Sequence, residues 1–66
     1  MKKYIVIRAF VVLGVGQGRL ILPNDIVYAA PCIAKIVHLF DAKTRLYLGY
    51  TYKADFENET QEDKEL

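Results

Sequence analysis

The run Tyr4 to Leu13, YIVIRAFVVL, is apolar on both faces of the strand it would form, and this constrains the 66-residue chain more than any other feature. One face carries Ile5, Ile7, Ala9, Val11 and Leu13; the other carries Tyr4, Val6, Arg8, Phe10 and Val12. A half-buried strand alternates apolar with polar residues, so a doubly apolar strand needs cover on two sides. A chain of this length buries about 60% of the surface its unfolded form exposes, which leaves little material for a second layer. The cover is therefore expected from outside, as copies of the same chain or a larger protein assembly.

Covalent and metal staples are not on offer. Cys32 is the sole cysteine and His38 the sole histidine. An internal disulfide is excluded, and these two residues fall short of the four ligands of a structural zinc site. Cys32 reads as a small buried hydrophobe, and its lone thiol suits a reducing compartment. At 53% apolar and 26% charged residues, the composition is that of an ordered globular domain.

Charge divides the chain in two. Residues 1–53 hold eight lysines or arginines against Asp25 and Asp41, a net charge of +6. Residues 54–66 hold six acids against Lys64, a net charge of −5. Together with the loss of apolar rhythm beyond Phe56, this predicts one domain over residues 1–56 and an acidic, flexible tail over 57–66. Such asymmetry is a partner signal.

The opening MKKYIVIRAFVVLGVG imitates a signal peptide, but Arg8 interrupts the apolar run and no A-x-A cleavage site follows. It also falls short of the about 20 residues needed to span a bilayer. Neither export through a signal peptide nor membrane partnership is expected.

Along the chain, Gly14, Gly16 and Gly18 predict a hairpin loop between strands, since glycine supplies positive φ at a reversal. A phosphate cradle would need a helix to follow, and RLIL reads as a strand. Pro23-Asn24-Asp25 has turn chemistry, and Ile26 to Tyr28 resumes extended structure. Over Ala30 to Phe40, the spacing of Ile33, Ile36, Val37 and Phe40 predicts a helix with Pro31 in its first turn. The β-branched residues there keep a strand as the competing reading. Asp41 to Thr44 is a polar turn. Arg45 to Lys53 alternates as a strand with Leu46, Leu48, Tyr50 and Tyr52 on its inner side.

Catalysis is poorly provided for. There is no serine, and a Cys32–His38 pair at a spacing of six shares no helix face. Asp25 and Asp41 sit in turns where a carboxylate caps the backbone. No enzyme activity and no cofactor are expected. Arg45, Tyr47 and Lys53 alternate along one strand face, and Tyr4, Arg8 and Phe10 would extend a basic-aromatic sheet surface. These six are the expected partner-binding residues. A protein partner ranks first, because so few cations would lie on the sheet; nucleic acid ranks second.

Lys3-Tyr4-Ile5-Val6-Ile7-Arg8-Ala9-Phe10 followed by Pro23-Asn24-Asp25-Ile26-Val27 resembles small phage-encoded virion proteins. Those proteins begin with a K-Y-x-V-x-x-x-F strand and carry a strand ending in P-G-D-I-V, here with Asn24 in place of the glycine. The resemblance covers residues 3–40 and implies a short helix matching Cys32 to Val37. It also implies a structural role in a capsid, connector or tail, hence a place in the virion or the host cytoplasm.

The expected fold is mainly β: a small twisted antiparallel sheet or SH3-like barrel with one short helix. The expected function is that of a noncatalytic, self-assembling interaction protein. The alternative is a small phage or bacterial regulator that binds nucleic acid or a host defence factor through the basic-aromatic face.

Overall fold

The computed structural model describes residues 1–64. Seven strands and one helix follow in the order β1 (Lys2–Val6), β2 (Phe10–Val12), β3 (Arg19–Ile21), β4 (Ile26–Ala29), β5 (Ile36–Asp41), β6 (Tyr47–Tyr52), α1 (Lys53–Glu59) and β7 (Thr60–Glu62). Five strands make an antiparallel sheet in the order β6-β5-β4-β1-β7, while β2 and β3 form a separate ribbon. The ribbon lies between β1 and β4 in sequence, and the helix precedes the last strand. This is the strand order of an SH3-like barrel, the second of the two expected arrangements. Leu13 and Tyr50 exchange backbone hydrogen bonds of 2.8 Å each way and tie the ribbon to β6.

The run Tyr4 to Leu13 is not one strand. After Val6 the chain bends. The N–H groups of Ile7 and Arg8 both donate to the Glu59 carbonyl, at 2.8 and 3.2 Å, and extended structure resumes at Phe10. The bend preserves the alternation of faces. Val6, Phe10 and Val12 all enter the core, and Tyr4 packs against it. The opposite face, with Ile7, Val11 and Leu13, stays exposed. β4, β5 and β6 complete the interior with Val27, Ala29, Val37, Leu39 and Leu48.

The helix lies at Lys53–Glu59, not over residues 30–40 as expected. Residues 33–36 instead make a tight reversal in which Ile33 and Ile36 bond to each other in both directions, at 3.1 and 3.0 Å. Ala34 and Lys35 hold φ of 54° and 65°, the left-handed values of a type I′ hairpin turn. β5 then starts at Ile36, so the helix that the virion resemblance implied over Cys32 to Val37 is replaced by a turn and a strand. Cys32 is exposed, not buried as expected.

Nor is the segment from Glu57 a loose tail. Phe56 is 4% exposed and holds α1 on the barrel. Thr60 closes the helix by donating its hydroxyl and its backbone N–H to the Phe56 carbonyl. β7 then pairs with β1 through Tyr4↔Glu62, Ile5↔Gln61 and Val6↔Thr60. Glu65 and Leu66, the end of the expected tail, lie outside the described residues.

β6 carries a correction in its faces. Gly49 opposes Leu39 and Tyr47 opposes Phe40, which leaves Leu48 as an extra residue in a bulge. The bulge moves the alternation by one position. Leu48 and Thr51 point inward, while Tyr50 and Tyr52 go with Tyr47 to the outer face.

Candidate interaction surfaces

The six expected partner-binding residues do not gather on one surface. Phe10 is buried and Tyr4 half-buried. Both meet Phe56 edge to face, with ring centroids 6.5 and 4.7 Å away, so they serve the chain's own core. Arg8 lies at the end of α1, where its guanidinium donates to the Asn58 carbonyl and to the Glu59 carboxylate. A cation suits that negative helix end. Lys53 opens α1 and stands 4.0 Å from Glu57. Arg45 and Tyr47 remain together, at the turn that leads into β6.

The charge asymmetry is spent largely within the chain. Lys2 with Glu62, Arg8 with Glu59 and Lys53 with Glu57 join the basic part to the acidic part. These pairs are exposed, so each contributes about 1 kcal/mol or less; they orient the final segment more than they hold it.

Two surfaces stand out once the core is complete. The first is the outer face of the β2–β3 ribbon. Val11 and Leu20 are direct cross-strand partners, 52% and 58% exposed, and Leu13, Val15 and Leu22 are exposed beside them. Arg19 is the sole charged residue between Phe10 and Leu22. The free edge of β3 opens on a groove of about 640 Å³.

The second is the outer face of β4, β5 and β6. In register across it stand Tyr28 beside Phe40, Phe40 beside Tyr47, His38 beside Tyr50 and Ile36 beside Tyr52. The His38 ring centroid lies 5.7 Å from that of Tyr47 and 6.2 Å from that of Tyr50, and Phe40 lies 5.4 Å from Tyr47. Nδ1 of His38 and the Tyr47 hydroxyl are 2.7 Å apart in a hydrogen bond. The Arg45 guanidinium sits 4.9 Å above the Tyr28 ring, a cation–π arrangement. Gly14 packs on the Tyr50 ring so closely that a β-carbon there would come within 2.8 Å of it. Sequence reasoning found Tyr47 and Arg45, but it assigned Tyr50 and Tyr52 to the interior.

Asp25 and Asp41 act as turn caps, as their positions suggested. Asp25 accepts from the Leu22 N–H, and Asp41 accepts from the N–H groups of Lys43 and Thr44. The bonds from Thr44 and Lys43 hold the Asp41 carboxyl below the usual value of 3.8, with Arg19 assisting. At the other end of the barrel a cleft of about 760 Å³ lies among Tyr4, Val37 and Phe56, with Cys32, Lys2 and Lys53 in its walls.

Among the described residues no three His, Cys, Asp or Glu side chains gather to hold a metal ion. Among them also, no helix is long and apolar enough to cross a membrane. Comparison of the chain with protein-family models, curated proteins and solved structures finds no match.

Proposed function

We propose that this chain is a noncatalytic structural protein that assembles with copies of itself through the outer face of β2 and β3, as a small virion accessory protein would. The observation that carries the reading is the exposed Val11–Leu20 pair. Natural monomers scatter exposed apolar residues singly, whereas a contiguous group marks an interaction surface. Here the group continues through Leu13, Val15 and Leu22, while Arg19, the register partner of buried Val12, belongs to the other face of the ribbon.

A second copy fits this surface without electrostatic conflict. Pairing β3 with a partner's β3 antiparallel about Leu20 sets Leu20 against Leu20 and Arg19 against Ile21, so no like charges meet. Self-complementarity of this kind is what a two-fold interface requires. The free edge of β3 supplies unpaired backbone groups, and the aliphatic side chains supply the apolar area. Asn24 departs from the glycine that the virion proteins carry, and its φ of 75° is a left-handed value that asparagine tolerates.

Sedimentation velocity of the full chain between about 1 and 100 μM tests the reading. A dimer or larger closed assembly is expected, and Leu20→Glu should return it to monomer while its melting temperature at low concentration stays unchanged. A wild-type chain that remains monomeric across that range would overturn the proposal.

A further inference from the structure

We infer that the outer face of β4, β5 and β6 is a platform for single-stranded nucleic acid, distinct from the apolar ribbon. Bases stack on exposed aromatic rings, and their phosphates need cations at the margin of the rings but no carboxylates among them. This face has that composition. Tyr28, His38, Phe40, Tyr47, Tyr50 and Tyr52 share it, with Tyr47 40% and Tyr52 52% exposed. No acid lies among the outward residues of these strands. Asp41, at the end of β5, has its carboxylate folded back onto the backbone of its own turn.

Cations stand around the rings. Arg45 lies over Tyr28, Lys3 on β1 is the register partner of Tyr28, and Lys35 ends the turn before Ile36. Carboxylates also stand at the margins: Glu57 beside Lys53, and Asp63, whose N–H donates to the Lys3 carbonyl. From Tyr47 to Tyr52 the strand runs about 17 Å, room for roughly three stacked or splayed nucleotides. The tilted rings of His38 and Phe40 brace that of Tyr47, with centroids 5.7 and 5.4 Å away, so little side-chain freedom is lost on binding. Duplexes are disfavoured because their bases are already stacked inside.

Fluorescence anisotropy of the full chain with a labelled oligothymidylate of about a dozen nucleotides tests the assignment. Saturable binding is expected. Its affinity should fall with salt at a logarithmic slope of about −2, from about −0.7 for each phosphate met by Arg45, Lys3 and Lys35. Tyr47→Leu keeps apolar bulk but removes the ring, and should weaken binding at least about fivefold; Tyr47→Phe should retain it. An absence of saturable binding at low salt would overturn the inference, as would equal affinity for a duplex or unaltered affinity in Tyr47→Leu. If Tyr47→Leu changes the oligomeric state and the oligonucleotide does not bind, the face is a protein interface and the inference also fails.

Discussion

The carbonyl oxygen of Leu13 occupies the space that a side chain on Gly49 would need. Gly49 also holds φ at 135°, which L side chains rarely adopt, and it sits in the bulge that turns Tyr50 outward. Next to it, Leu13 and Tyr50 exchange the two hydrogen bonds that fasten the ribbon to the barrel. Absence of one β-carbon thus permits the closure of the fold.

Gly49→Ala should accordingly cost about 2–4 kcal/mol, from backbone strain of about 1–3 kcal/mol together with displacement of Leu13. For a domain of this size, 1 kcal/mol corresponds to about 4–8 °C in melting temperature. Thermal unfolding followed by circular dichroism measures it. A change below about 0.5 kcal/mol would show that the ribbon moves away freely.

Deletion of residues 57–66 should remove most of the stability, about 3–5 kcal/mol for so small a core. It strips β7 from β1 and cuts α1 after Phe56. Phe56→Ala in the full chain should show a loss of similar size, about 3–5 kcal/mol. Urea titration of both proteins decides the matter. If the shortened chain unfolds cooperatively near the full-length midpoint, β7 contributes little to the fold.

The turn at Ala34 and Lys35 leaves room for improvement. Left-handed backbone costs an ordinary L-residue about 1–2 kcal/mol, and Asn-Gly is the preferred pair for a type I′ turn. The double substitution Ala34→Asn, Lys35→Gly should stabilise the chain by about 1 kcal/mol, net of the added freedom of glycine when unfolded. A raised denaturation midpoint with an unchanged slope is the expected result.

Asp41 gives the fold a dependence on acid. Its carboxyl is lowered from 3.8 by the N–H groups of Thr44 and Lys43, so the folded state favours the ionised form. The resulting stabilisation is present above pH 3.8 and fades as pH falls below it through the folded value. Asp41→Asn should therefore show a shallower loss of melting temperature on acidification than the wild type. Parallel curves for the two proteins would mean that other carboxylates carry the acid sensitivity.

What the sequence made legible was local chemistry. Gly14 to Gly18, Pro23 to Asp25 and Asp41 to Thr44 announce their turns because φ preference and side-chain capping act within a few residues. The helix was hidden because Phe56 is its one buried residue, and a single anchor has no period. Over residues 30–40 a false helical period arose from a turn. Ile33 and Ile36 face each other across it, Val37 points inward and Phe40 outward, and the β-branched residues were the better guide.

The candidate surfaces were hidden for a different reason. A strand's face is inherited from every residue before it, so the bulge at Leu48 reverses all that follows until the helix. The acidic end looked detached because its partners, Arg8 for Glu59 and Lys2 for Glu62, lie more than fifty residues away in sequence. Of the two apolar faces of residues 4–13, the sequence offered Tyr4 and Phe10 to a partner. Packing chose the opposite face.

The pairing of β7 with β1 also governs the order in which the molecule can be made. Tyr4↔Glu62 joins residues from opposite ends of the described chain. Until Thr60 to Glu62 have been synthesised, β1 has a neighbour in β4 but an open edge on its other side. Non-local pairing of this kind delays folding, and an open edge invites other chains to add to it. The growing polypeptide thus passes through a stage in which β1 is available to any neighbour, and the time taken to synthesise and release Thr60 to Glu62 sets how long that stage lasts.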